Sequence, residues 1–402
     1  MSEDPDSRNE AATPERPGAD GEASVDGGTL SDAATTGGTL TRSDGVSDAD
    51  SATPTNAARA TPQSSGRDLR RLVELGGVGV IAILALCMLG FIVLYWARDL
   101  PVAAELYGGF RTFGVVLDFY LGTNVFQHPF MWQSMATGVL IGVVAPLVGS
   151  FLVHREMALI GETLAHTAFA GIAIGLLVSA TTGWSGSLLS VALVVGVLGA
   201  LGVQWLTERT NTYGDVPIAI MLSGSFAVGT LIISYGRGLT AINIEGYLFG
   251  SLSVVSVEGA RMMGALSLLV VAAIALTYKQ LLFITFDEQA ARVAQLNVTG
   301  YNTLLVVLTA VVVVGAMQVL GVILVAAMLV IPVAAASQIA RSFRETMYLS
   351  VIFGQLSVIG GFAFAISQGL PSGGSIVVTA IVLYLGSIAA SGFSVKAISA
   401  HG

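Results

Sequence analysis

Cysteine is almost missing from this chain of 402 residues: Cys87 stands alone in an apolar run. That excludes an internal disulfide and any thiolate metal site built by this chain alone. Lysine is scarce too, with Lys279 and Lys396 its only representatives. A phosphate-binding loop of the Walker type needs Gly-Lys before Ser or Thr, but Tyr278 precedes one lysine and Val395 the other. The chain therefore has no loop of that kind with which to hold ATP. Charge of either sign is thin, at 11% of residues, against roughly 25% in soluble domains. No H-E-x-x-H, Ser/His or paired-Asp constellation of an intramembrane enzyme marks the apolar segments.

What fills the chain instead is apolar. Hydrophobic residues make up 54% of it and the mean hydropathy is +0.78, so most of it belongs in lipid. Residues 1–66 are a different material. They carry twelve acidic and four basic side chains, which accounts for the whole net charge of −8 and leaves fourteen of each sign for the remainder. Rich in Ser, Thr, Gly, Ala, Asp and Pro, this acidic tail cannot bury enough surface to offset the entropy of ordering and is expected to be disordered. It is also a poor secretory leader, because it is acidic where a positive region belongs and has no apolar segment before residue 72. Glycine is abundant, at 48 residues. Gly138/Gly142 and Gly171/Gly175 form G-x-x-x-G pairs of the kind that let membrane helices approach closely.

A hydrocarbon core of about 30 Å needs about 20 apolar residues per helix. Runs that satisfy this fall at 72–96, 132–153, 157–180, 187–207, 216–236, 259–284, 302–320, 322–340, 346–368 and 374–395. The expected architecture is an all-α, polytopic transmembrane bundle of about ten crossings. A weaker apolar segment, 244–256, is too short to cross and is expected to be re-entrant or interfacial. Placing the N-terminus inside puts ten basic residues, Arg67, Arg155, Arg292 and Arg341 among them, on the cytoplasmic side. Only Arg98, Arg111, Arg237 and Arg261 fall outside, as the positive-inside rule asks. Both termini are then cytoplasmic.

Two places could carry chemistry. Glu162 and His166 stand four residues apart in an apolar span, so a carboxylate and an imidazole share one helical face. Ionisable groups at such depth mark a transport path or functional site by default. The pair suits Zn²⁺ or Mn²⁺ as a partial, transient ligand shell. It equally suits a proton relay, or a hydrogen-bonded contact that only fixes packing. The second place is the polar insert 285–300, where Asp287 and Glu288 open a short alanine-rich amphipathic stretch. It reads either as a plain connector or as a knob for a cytosolic partner. His128, His154 and His401 are expected to be structural or solvated, and Met157, Met221 and Met328 to be filling.

Five segments in one order carry a resemblance across about 130–395. They are PFMWQSMATGVLIGVVAPLVGSFLV at 129–153, MALIGETLAHTAFAGIAIG at 157–175, YLFGSLSVVS at 247–256, QVLGVILVAAMLVIPVAAA at 318–336 and LPSGGSIVV at 370–378. Together they make the chain similar to the zinc/manganese-type ABC importer permease family. The resemblance implies a type II ABC importer-like permease domain at 129–396, without enzymatic activity of its own, in the plasma membrane. It implies Glu162 and His166 as transient metal ligands, and contact with a cytosolic ATPase at Asp287, Glu288 and Ala291. It also implies a permease homodimer that receives a divalent metal ion from an extracellular binding protein. No permanently bound cofactor and no nucleic-acid partner are expected. Three departures stand out: Glu162 where the family has Asp, Gln295 where it tends to have Gly, and an added span with its external loop over 67–128. The rivals are a proton-coupled secondary transporter using the same Glu/His pair, and an intramembrane scaffold.

Overall fold

A computed structural model of the chain describes residues 64–209, 215–235, 244–251 and 255–399. All belong to one unit, Pro62–Gly402; of the acidic tail read as disordered, residues 1–63 lie outside them, while Ser64–Gly66 open the first helix.

Thirteen helices and no strand occur among the described residues: α1 Ser64–Trp96, α2 Pro101–Leu121, α3 Pro129–His154, α4 Leu159–Thr182, α5 Leu188–Arg209, α6 Val216–Tyr235, α7 Ile244–Phe249, α8 Val257–Phe286, α9 Glu288–Val293, α10 Val298–Leu320, α11 Val325–Ser337, α12 Phe343–Gln368 and α13 Ser372–Ser399. Nine of them are long and apolar enough to cross a membrane. The helical signals are local and ordinary. Proline opens α2 and α3 at a position whose N–H has no helical partner anyway. Side-chain oxygens of Ser256, Asn297 and Ser342 cap α8, α10 and α12, each accepting a backbone N–H three residues on.

The tenth expected span, 322–340, takes a shorter form. Gly321, at φ 80°, breaks the chain after α10, and α11 runs for only 13 residues, about 20 Å of helix. Unpaired backbone is intolerable at membrane depth unless protein satisfies it. Here it does: the Val322 and Ile323 N–H groups donate to the carbonyls of Tyr247 (2.9 Å) and Leu248 (3.3 Å) in α7, and the Ser372 hydroxyl donates to the Val319 carbonyl at 2.8 Å. Within the segment expected to be re-entrant or interfacial, α7 thus serves as the hydrogen-bonding cover of a broken helix.

α3 and α10 form the hub. In each, 83% of the apolar stretch is buried, against 17% in α6. α3 packs on α1, α8, α10, α11 and α12. Glycine makes these approaches close. A methyl at Gly138 or Gly142 would meet Phe362, Val358 or Gln355 of α12, and one at Gly171 or Gly175 would meet Ala192, Val191 or Leu188 of α5. Both G-x-x-x-G pairs are packing faces, as their spacing predicts.

Within the stretch expected to be an external loop, the structure contains the 21-residue α2. Its inner face carries Ala103, Tyr107, Phe110 and Gly114 at helical spacing, with Tyr107 and Phe110 joined to Phe91 and Trp132 in an aromatic cluster. In the last turn of α2, the buried Asp118 carboxylate collects the Thr123 hydroxyl (2.8 Å) and the N–H groups of Val125, Phe126 and Gln127 (2.8–3.0 Å). That tethers the turn leading into α3. Burial by itself would raise the acid's pKa, but the hydrogen bonds from Phe126, Thr123, Val125 and Gln127 outweigh it and hold the carboxyl below its ordinary range.

Candidate functional site

α4 is clamped between α5 and α6. The Thr163 hydroxyl bridges to the Ile218 carbonyl of α6 at 3.3 Å, and Thr167 fills the gap over Gly199 of α5. Two ionisable side chains stand on this helix. Glu162 lies in the first turn, where the partial positive charge of a helix N-terminus favours a carboxylate. It is exposed, and among the described residues it has no hydrogen-bond partner. His166 sits one turn further in. Its ring meets Phe226 of α6 edge-on, with centroids 4.9 Å apart at 74°. Its Nδ1 is buried without a hydrogen-bond partner.

Since α4 begins at Leu159, the two groups lie about 5 and 10 Å along the helix from its start. The pair is not a finished cage. Among the described residues no three His, Cys, Asp or Glu side chains gather closely enough to hold a metal ion. A carboxylate and an imidazole can therefore supply two donors, the remainder coming from water or another chain.

The expected structural histidines behave as such. His154 bonds through Nδ1 to the Ser150 carbonyl at 2.7 Å and packs on Phe343, while His128 stacks on Phe130; His401 lies outside the described residues. Met328 is fully buried, and Met157 and Met221 pack partly buried against the core.

At the end of the bundle where α3 gives way to α4, the insert forms α9. Asp287 is its N-cap, accepting the Ala290 N–H at 2.8 Å, and Glu288 pairs with Arg292 at 2.6 Å; both acids are exposed. Ala291 differs: it is fully buried against Ile284 of α8 and Val298 of α10. Its side chain fastens the helix from within, while the outward surface consists of Asp287, Glu288, Gln289, Arg292 and Val293. The helix ends in a Schellman turn. The Leu296 N–H reaches the Ala291 carbonyl at 3.1 Å, and Gln295 takes the left-handed corner at φ 61°. Glutamine there keeps the backbone geometry that glycine adopts most readily.

Sequence reasoning passed over Arg155. Its side chain donates from Nε to the Thr285 hydroxyl (2.9 Å), from Nη1 to the Asn302 amide oxygen (2.6 Å) and from Nη2 to the Leu281 carbonyl (3.4 Å). The acceptors lie 126 to 147 residues away, and no local pattern marks them.

Nine membrane-length helices among the described residues define a multi-pass, all-helical membrane protein. The chain belongs to the ABC 3 transport family, whose pattern matches residues 127–391. It is 30% identical over 261 residues to the manganese transport system membrane protein MntC of Listeria monocytogenes, covering 65% of this chain and 90% of that one. It is 25% identical over 256 residues to the high-affinity zinc uptake system membrane protein ZnuB of Haemophilus influenzae, covering 63% and 95%. Among solved structures it is similar to PsaBC from Streptococcus pneumoniae in complex with Fab, with a TM-score of 0.59 and 30% identity over 68% of this chain and 95% of that one. The match begins at residue 127, so α1 and α2 precede it.

Proposed function

We propose that the chain is the membrane-spanning subunit of an ATP-driven importer for divalent transition-metal ions, manganese or zinc, in the plasma membrane. The observation that carries this is the Glu162/His166 pair: two metal-type donors, one exposed and one with an orphaned ring nitrogen, on a helix within the family-matched segment. Similarity to subunits named for manganese and for zinc transport supports the cargo class.

In this reading the N- and C-termini and α9 face the cytoplasm, as the distribution of basic residues supports. An extracellular binding protein delivers the ion to the opposite mouth. Glu162 and His166 replace part of its hydration shell, a second copy of the chain contributes the rest, and two donors per chain hold it weakly enough for release. The pair keeps its role as ligand only while the imidazole is unprotonated and the carboxylate charged. Energy comes from a separate ATPase, which α9 meets through Asp287 and Glu288, with Ala291 seating the helix from behind. Residues 67–128 are an added module ahead of the permease domain at 129–396.

The test is uptake of radioactive manganese and zinc by the complete complex in proteoliposomes. Glu162→Gln and His166→Ala should each lower uptake by about tenfold or more, the usual cost of losing one ligand or its orientation. Uptake unchanged in both, at normal assembly, removes the pair from the mechanism. Uptake that persists when the ATPase subunit is omitted returns the case to a proton-coupled carrier.

A further inference from the structure

Arg155 is the first residue beyond α3 and one of the few cations set well into the bundle. Each of its three hydrogen bonds ends on α8 or α10, the helices that flank α9 in the chain. Thr285, which accepts from Nε, also donates to the Leu281 carbonyl at 2.7 Å, so both α8 contacts belong to one helical turn. The same two helix ends hold α9 through Ala291, Ile284 and Val298. One guanidinium thus clasps the frame from which the exposed α9 hangs. Burial pushes the Arg155 pKa down from arginine's ordinary range and the Glu288 carboxylate opposes that; an arginine retains its charge in such a setting.

The backbone on either side of this clasp is held in uncommon form. Among the described residues, Glu156 (φ 59°) and Gln295 (φ 61°) are the non-glycine positions with positive φ. Glu156 follows Arg155 directly and makes the second Schellman corner, with the Met157 N–H on the Leu152 carbonyl at 3.0 Å. Non-glycine residues persist there only where the surroundings over-determine them. The corner fixes the direction in which α4 leaves α3. Three residues further on α4 begins, with Glu162 in its first turn and His166 in its second. A side chain with a planar, multi-donor fork resists shear better than a flexible ammonium can.

We infer that Arg155 is the positioning residue that carries movement of α9 into α4, and so sets when Glu162 and His166 hold or release the ion. This rests on the reading of α9 as the ATPase contact. When α8 and α10 shift beneath α9, the guanidinium shifts with them and turns the elbow from which α4 starts. The elbow cannot slide freely on its other side, because Gly161 is seated against Leu329 of α11.

The experiment reads metal taken up per ATP hydrolysed, in proteoliposomes holding the permease, its ATPase and its binding protein, with manganese as the probe. A merely structural loss reduces uptake and hydrolysis together and leaves that ratio alone. Arg155→Gln should lower the ratio by about tenfold, the equilibrium weight of one or more charge-assisted hydrogen bonds. Arg155→Lys, which keeps charge without the fork, should fall between Arg155→Gln and wild type. A ratio equal to wild type in Arg155→Gln overturns the inference. If Arg155→Gln does not assemble, Thr285→Val and Asn302→Ala decide, since each removes a single acceptor: a lowered ratio in both upholds the clasp, and an unchanged ratio overturns it. Wild-type complex that shows no ATP-dependent uptake overturns the functional reading itself, a failure seen before any variant is made.

Discussion

The backbone carbonyl of Leu329 in α11 occupies the space beside Gly149 of α3 that any side chain there would need. Gly149→Ala should therefore destabilise the protein by about 1–3 kcal/mol, because neither backbone can yield without parting the helices. Gly224→Ala in the exposed middle of α6 meets nothing within 4 Å and should gain up to about 1 kcal/mol from helix propensity. Thermal unfolding of both variants in lipid nanodiscs compares them directly. Equal midpoints would show that the α3–α11 contact has no weight.

Glu162→Asp restores the residue that the resemblance associates with this position and shortens the arm by one methylene. A carboxylate remains, so uptake should stay within about tenfold of wild type while the preference between manganese and zinc shifts. Competition between the two ions in the same vesicles measures the ratio. A ratio identical to wild type would mean that arm length is not read by the site.

The two left-handed corners predict a gain. Glycine adopts positive φ without the Cβ penalty of about 1–2 kcal/mol, so Gln295→Gly and Glu156→Gly should each raise stability by about 0.5–1 kcal/mol after the added entropy of the unfolded chain. Denaturation midpoints check the sign. Lower midpoints would indicate that the Gln295 and Glu156 side chains hold the corners through contacts of their own.

Asp118 gives a pH dependence. Its folded pKa is depressed, so its contribution is fully present above the unfolded value of about 4 and is lost as pH falls through the lower folded value. Hydrogen exchange at the Val125, Phe126 and Gln127 amides should stay slow from neutral pH down to about 4, after correction for intrinsic rates, and quicken below it. Asp118→Asn should exchange faster at neutral pH and lose the acid transition. An acid transition that survives in Asp118→Asn would assign it to another group.

Hydropathy made the spans legible because lipid demands long apolar helices and little else imitates them. It overran at 322–340, since hydropathy does not show that residues 322–324 form a turn and that α11 ends at Ser337. α2 was invisible for the opposite reason: Glu105, Arg111 and Asp118 break its apolar signal, and its buried face is one stripe at helical spacing. That Glu162 and His166 share one helix was readable from their spacing, but Phe226 against the His166 ring was not, because α6 carries no motif that points to α4. The insert at 285–300 announced itself by its charges. Ala291 turning inward and Arg155 reaching across to α8 and α10 are tertiary facts, without a local trace.

The centrality of α3 bears on how the protein is made. Helices enter the bilayer in order of synthesis, and α3 is the first member of the hub to arrive. Its neighbours α8, α10, α11 and α12 come later, so its glycine-lined faces, and the Arg155 side chain at its end, wait unmatched until well over half of the chain has been made. A premature stop before α12 would strand a helix built for protein contact among lipid tails, where quality-control proteases find their substrates.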